Sequence, residues 1–343
     1  MPSSSPLLTT DILVIGGGVL GLCTAVELTR RGRDVLVLDP GGANASSVAA
    51  GMIAPAIESF IDEASPEHAR LLREAGRLWA GVPEVRLKPT PAIWRDGGGE
   101  QMVAALRVLG FEASLDARGQ VLAPDDVQLD PVAALTALKA VLWTPVVEGQ
   151  AVRIDRVGTG WGVETESGAI FARTVVLATG AAKPLAGLPQ GVAALIRLIE
   201  PIRGQIGFTA EVLAETVTRG AGGYVVPTEG GSLIGATMEP GRRDLEPDGA
   251  TGERLTAMAA SLVEQEIADE IDWRVGVRGS TPDGLPMAGF SGEPGLYLAL
   301  APRRNGWLLG PLVGRIVADK MGGGDISGYD PEHAAALDAL RFA

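Results

Sequence analysis

The sharpest pattern lies at the start of the chain. Asp11-Ile-Leu-Val-Ile15 is a continuous apolar run without polar alternation, as expected for a strand covered on both faces of a parallel sheet. Glycines 16, 17, 18 and 21 follow at once, Leu22 to Arg31 continues as a helix ending at Gly32, and a second apolar strand runs from Asp34 to Leu38 and stops at Asp39. Strand, glycine turn, helix and strand make one βαβ unit, whose right-handed crossover sets the two strands side by side.

Further on the periods change. Helices are predicted over Gly99 to Leu109 and Pro131 to Val141, the second with Asp130 as N-cap and proline at its first position. Short alternating strands separated by glycine turns (Val152 to Ile154, Gly162 to Thr165, Ala169 to Phe171) predict a meander, and Thr174 to Gly180 reads as a separate buried strand returning to the first sheet. Strands recur at Gly223-Tyr-Val-Val and Ser232-Leu-Ile-Gly before a helix over Thr251 to Ile267. A buried strand, Leu296 to Leu300, and an apolar-faced helix, Gly306 to Lys320, close the chain. The fold class is therefore α/β: a Rossmann-like dinucleotide-binding domain (1–85, 150–200, 285–343) interleaved with a mixed α+β substrate domain of antiparallel sheet plus helices (86–149, 201–284).

Length and composition narrow the function. The 343 residues exceed what one core usually supports, and 47 glycines suit a loop-rich α/β enzyme better than a helical bundle. A formal net charge of -13 repels phosphate backbones and anionic lipid, so nucleic acid is not an expected partner. The apolar stretch Ile12 to Val26 is too short for a membrane span and carries four glycines. A lone cysteine, Cys23, forms no internal disulfide and reads as a buried small side chain, so a cytoplasmic location is expected. The first ten residues read as a disordered leader, and His68 and His333 as surface residues of polar helices.

The glycines carry chemistry. Gly16, Gly18 and Gly21 fit G-x-G-x-x-G: the first permits the tight turn, the second close approach of backbone to a pyrophosphate, the third close packing of helix on strand. Val19 and Leu20, between the second and third glycines, are read as cofactor contacts, and the N-terminus of the helix that follows favours phosphate. Asp39, followed by Pro40, ends the second strand, where a carboxylate accepts hydrogen bonds from ribose hydroxyls and disfavours a 2'-phosphate. The motif alone leaves NAD and FAD both open.

Five segments resolve that choice by resemblance. Ala45-Ser-Ser-Val-Ala-Ala-Gly-Met-Ile-Ala-Pro55, Ala178-Thr-Gly180, Pro201-Ile-Arg-Gly-Gln205, Arg278 through Pro282-Asp-Gly-Leu-Pro-Met-Ala-Gly289, and Arg304-Asn-Gly-Trp-Leu-Leu-Gly-Pro311 resemble, in order, the glycine oxidase and D-amino-acid oxidase superfamily, above all the thiamine-pathway glycine oxidases. The resemblance implies noncovalent FAD, with Ser46, Ser47, Ala49, Ala50, Gly51 and Met52 forming a flat loop beside the flavin. It implies further cofactor contacts at Gly180, Arg278, Arg304, Asn305, Gly306 and Trp307, the last helix directing its N-terminus at the flavin.

It also implies an amino-acid oxidase. Arg278 pairs with the substrate carboxylate, Arg304 lies near it with neighbouring Arg303 a rival, Tyr224 joins the contact or serves strand packing, and Met238 sits above the flavin or fills core. The implied reaction is oxidative deamination of glycine or a small D-amino acid by hydride transfer to flavin N5, giving imine or oxo acid, ammonia and hydrogen peroxide. Molecular oxygen is the expected acceptor, no metal is expected, and homo-oligomerisation stays open. Rival readings are an amine dehydrogenase feeding a quinone or protein acceptor, and a noncatalytic flavin-binding protein. Ala301-Pro302-Arg303 replaces the family's frequent Gly-His before Arg-Asn-Gly, which puts the substrate in doubt more than the cofactor.

Overall fold

The computed structural model describes residues 7–268, 270–322 and 328–343. The chain divides into two compact units, Met1–Asn44 with Leu135–Pro201 and Arg278–Ala343, and Ala45–Ala134 with Ile202–Val277.

The first unit is built on an eight-stranded sheet. Its path runs Ala151–Val157, Gly160–Thr165, Gly168–Leu177, Leu7–Ile15, Val35–Asp39, Val147–Glu148. Leu7–Ile15 is central and parallel to both neighbours, with Ile12 opposite Val35 on one side and Thr174 on the other. That position explains the unbroken apolar run, because Ile12, Leu13 and Val14 have no exposure at all. Leu296–Leu300 adds a parallel strand beside Gly168–Leu177, and Met287–Phe290 pairs antiparallel with it. Helices Val19–Arg30 and Gly306–Gly322 approach so closely that a Cβ at Gly314 would lie 2.7 Å from the Cys23 carbonyl oxygen. Cys23 is buried there, and burial raises its thiol pKa far above the usual range.

The meander and the returning strand are one element. Gly168–Leu177 is a single ten-residue strand, antiparallel to Gly160–Thr165 at its start and parallel to Leu7–Ile15. Ala172-Arg173 contains no turn residue, so nothing separates the two runs. Residues 7–10 of the expected leader belong to the first strand, and residues 1–6 lie outside the described residues. His333 is also not a surface residue. It is 2% exposed on helix Pro331–Ala336, one turn before fully buried Leu337 on the same face, and His68 is half-buried.

The second unit holds a nine-stranded, mostly antiparallel sheet in which Glu200–Thr209, Gly231–Gly235, Gly223–Thr228, Thr218–Gly220 and Ala92–Trp94 are successive neighbours. Helix Gly249–Val263 packs on it through Leu255 and Ala259 against Val225 and Ile234. It ends at Glu264, in the left-handed region at φ 57°, short of the expected Ile267. A separate small sheet joins Met52–Ile53, Val127–Leu129 and Leu87–Lys88.

The division falls elsewhere than the expected boundaries. Residues 45–85 lie with the second unit because Met52–Ile53 pairs with Val127–Leu129, and Ala56, Ile57 and Ala69 share a core with Ala92, Trp94 and Met102. Residues 135–149 lie with the first, where Val147–Glu148 pairs with Leu38 and Asp39. Residues 278–284 do so too, since Arg303 N–H donates to the Gly279 carbonyl.

Candidate functional site

In the first unit the glycine turn is a cradle that side chains would fill. Gly16 has φ 115°, and a Cβ there would collide with the Ala178 carbonyl; a Cβ at Gly21 would collide with the Gly16 carbonyl. Gly17, absent from the motif spacing, is equally constrained: a Cβ would lie 2.9 Å from the Asp39 carboxyl carbon. Its N–H donates to Asp39 Oδ2 at 2.5 Å, while Gly41 N–H donates to Oδ1 at 2.9 Å. Asp39 is thereby fixed at the end of its strand, and each oxygen keeps a lone pair for a ribose hydroxyl. Pro40 beside it is exposed.

Gly18 is the N-cap of helix Val19–Arg30 and offers no side-chain cap, with Val19 and Leu20 buried in the first turn. An uncapped helix N-terminus beside a fixed carboxylate and crowded glycines fits the pyrophosphate and ribose of a dinucleotide.

Three of the five resembling segments, distant in sequence, meet in this unit. Arg303 N–H donates to the Gly279 carbonyl at 2.9 Å, and Ser280 bridges Pro302, so the backbone bearing Arg278 lies beside the backbone bearing Arg304. Both arginines are half-buried. Gly180 has φ 62°, and its carbonyl lies 3.4 Å from where a Cβ of Gly279 would stand. Asn305 is buried, Gly306 opens the final helix, and a Cβ on Gly306 would meet Val19 Cγ1 at 3.3 Å. The N-termini of two helices therefore converge, and their partial positive charges reinforce each other. Trp307 is 4% exposed within its helix. Ala301 and Arg303 both have positive φ, 62° and 50°, so the turn before the helix is held in a region that non-glycine residues rarely enter.

The second unit holds the other sequence-predicted residues. Ala45–Val48, carrying Ser46 and Ser47, is a one-turn helix rather than a flat loop, and Ala49, half-buried, and Ala50, buried, lead out of it. Gly51, at φ 70°, packs its Cα onto the Leu129 carbonyl, where a Cβ would collide, and Leu129 N–H donates to its carbonyl at 2.9 Å. Met52 pairs with Gln128. Tyr224 lies opposite Gly235 in the sheet, its hydroxyl 2.7 Å from where a Cβ of that glycine would be, and opposite Arg219 on the other side. Met238 is 37% exposed, which removes the core-filler reading. Arg203 of the Pro201–Gln205 segment is wholly buried and structural, paired with Glu239 at 2.8 Å and Asp244 at 3.1 Å.

A buried charged cluster in this unit went unread in the sequence. Arg219 pairs with Glu58 at 2.7 Å, both side chains 6% exposed. Asp126, 1% exposed, accepts from the N–H groups of Ala56 at 2.7 Å and Ile57 at 3.0 Å. Burial pushes the Asp126 carboxyl up to about 7, against the two backbone N–H groups and Arg219, which favour its charged form. No periodic pattern marks these three residues; only the acid pair Asp125-Asp126 beside an apolar strand hinted at one of them.

Among the described residues no helix is long and apolar enough to cross a membrane, and no group of three or more His, Cys, Asp or Glu is placed to hold a metal ion. Residues 11–320 match the family described as FAD dependent oxidoreductase. The chain is 32% identical over 355 aligned positions to a glycine oxidase of Geobacillus kaustophilus, covering 90% of this chain and 92% of that protein. It is 31% identical to a bifunctional protein ThiO/ThiG of Nostoc, covering 91% of this chain but 52% of that longer protein. The crystal structure of glycine oxidase from Geobacillus kaustophilus superposes with a TM-score of 0.83 over 97% of this chain and 99% of that one, at 26% identity. With a glycine cradle, a fixed carboxylate and converging helix N-termini in the matched region, the chain belongs to the FAD dependent oxidoreductase family, and FAD is its cofactor.

Proposed function

We propose that this enzyme oxidatively deaminates glycine or a small D-amino acid. The observation that carries the reading is the tie between residues 278–280 and 302–304, which lets two half-buried arginines leave neighbouring segments beside the N-terminus of the final helix. Two guanidinium groups there suit a substrate with one carboxylate, bound bidentately by Arg278 with Arg304 adding positive potential. Similarity to a protein named glycine oxidase over nine-tenths of both chains supports the substrate class, and similarity to ThiO/ThiG supports a role in thiamine biosynthesis.

Bound FAD supplies the acceptor for the hydride from the substrate Cα and passes the electrons to oxygen. The chain's own residues have the task of orientation, which governs such a transfer more than acid or base chemistry does. The two histidines, His68 and His333, lie outside the five resembling segments, which suits a substrate that binds with a neutral amine and needs no side-chain base. The imine leaves for hydrolysis by water to oxo acid and ammonia.

Oxygen consumption with glycine, sarcosine, D-alanine and D-proline tests this directly. One peroxide and one ammonia, or methylamine from sarcosine, should appear per oxygen consumed with the acyclic substrates. A flavin-loaded protein that consumes no oxygen with any of the four, yet reduces a quinone or dye with one of them, would make it a dehydrogenase instead.

A further inference from the structure

The chain ends by folding back onto the turn that follows Arg278, and every residue of this contact lies in the first unit. Leu337 and Ala339 are fully buried, and the Leu337 carbonyl accepts from Ala288 N–H at 2.8 Å, which seats the terminal turn Ala339–Phe342 beside strand Met287–Phe290. From there Arg341 grips Asp283 with a bidentate pair, Nε to Oδ2 at 2.8 Å and Nη2 to Oδ1 at 3.0 Å. Nη2 also donates to the Leu285 carbonyl at 2.7 Å, and Nη1 donates to the carbonyls of Pro286 at 3.1 Å and Asp338 at 2.9 Å. All five N–H groups of the guanidinium are thus used, with the side chain 15% exposed. On its other side Asp283 Oδ1 accepts from the Thr281 hydroxyl at 2.9 Å and from Leu285 N–H at 3.0 Å, which closes the turn Thr281–Leu285.

That turn lies against the segment bearing Arg304. Arg278 is followed at once by Gly279, whose carbonyl accepts from Arg303 N–H, and by Ser280, which bridges Pro302. Gly284, at φ 77°, has no side chain to push Arg303 away, whose Cδ stands 3.7 Å from where a Cβ would be. Ala301 and Arg303 both hold left-handed backbone, and non-glycine residues stay there only where their surroundings over-determine them. Residues 279–284 supply part of those surroundings, and Arg341 fixes residues 279–284 through Asp283.

We propose that Arg341 and Asp283 are positioning residues for the substrate carboxylate: their ion pair clamps Thr281–Leu285 against the strained turn Ala301–Arg303 and so keeps Arg278 and Arg304 in register with each other. The proposal rests on the reading that Arg278 and Arg304 receive that carboxylate. A clamp of this kind serves bound substrate and transition state alike, so its loss acts on KM and leaves kcat in place.

The test uses the FAD-loaded enzyme. Arg341→Gln should raise KM for the best of glycine, sarcosine, D-alanine and D-proline roughly three- to thirtyfold with kcat unchanged. Binding of acetate, a carboxylate that cannot be deaminated, should weaken by the same factor in calorimetric titration. Asp283→Asn keeps an acceptor for Thr281 and Leu285 and should behave as Arg341→Gln does, so it decides if that variant fails to fold. Ala301→Gly supplies the rescue: glycine takes left-handed backbone without being held there, so adding it to Arg341→Gln should return KM most of the way to the wild-type value. A loss of thermal stability alone would not be rescued in KM. The proposal is overturned if KM and acetate affinity stay at wild-type values in Arg341→Gln and Asp283→Asn, or if KM stays raised once Ala301→Gly is added. A wild type that neither oxidises any of the four amino acids nor binds acetate overturns the carboxylate reading and the clamp with it; a wild type that does both, with variants equal to it, overturns the clamp alone.

Discussion

Single residues of the first unit show where function and backbone strain coincide. Arg278 is half-buried on a strand end tied to the Arg304 segment, and in the proposed function it holds the substrate carboxylate. Arg278→Ala then removes a charge-assisted interaction of about 1.5 to 3 kcal/mol, raising KM roughly tenfold to a hundredfold. FAD affinity should change far less; an unchanged KM for the best substrate would take that role away from Arg278. Ala301 is fully buried with φ 62°, a conformation glycine adopts without steric cost. Ala301→Gly should raise stability by about 1 kcal/mol in denaturant unfolding. A loss instead would mean that its methyl group contributes more packing than the dihedral costs. Gly16, Gly21 and Asp39 were legible in the sequence because spacing alone dictates their work. Gly17 was not, since its constraint comes from Asp39, folded back on it from the next strand.

Elements were legible where their signal is local. The first βαβ unit follows from an apolar run, a glycine turn and a second run, and helix Pro131–Val141 from Asp130 and Pro131, with Asp130 Oδ1 accepting from Ala133 N–H at 2.8 Å. What the sequence hid depends on partners. Gly168–Leu177 looks like two strands because one of its edges changes partner, from antiparallel Gly160–Thr165 to parallel Leu296–Leu300, while the other runs parallel to Leu7–Ile15. The turn at Ala45–Val48 has no amphipathic face, and the cap of helix Pro55–Ile61 comes from Asp126. Helix and strand meet at Gly21, where an added methyl group strikes backbone that has no room to yield. Gly21→Ala should therefore weaken FAD binding, roughly tenfold for every ~1.4 kcal/mol of strain at the turn. Titration of apoprotein with FAD measures this, and an unchanged dissociation constant would remove the glycine cradle from the account.

At the scale of the whole molecule, two units with their own cores share a chain of net charge -13. Acidic pH relieves much of that repulsion, and Asp126 adds a dependence of definite sign. Its carboxyl titrates at 3.8 in an ordinary setting and at about 7 when buried here, so between these values the folded chain binds more protons than the unfolded one. Stability from this group is complete below pH 4 and is lost as pH rises towards 7, at about 1.4 kcal/mol per pH unit at most. Unfolding free energy of wild type relative to Asp126→Asn should fall across that window and level off above it; a difference that rises with pH would contradict the burial argument. The central claim is broader: FAD bound by this chain takes electrons from a small amino acid. Anaerobic titration of the purified protein with glycine, sarcosine, D-alanine and D-proline, followed at the flavin absorption band, tests it most directly. The account predicts bleaching by at least one of them at a concentration that also supports turnover, and a flavin band that none of the four bleaches would contradict it.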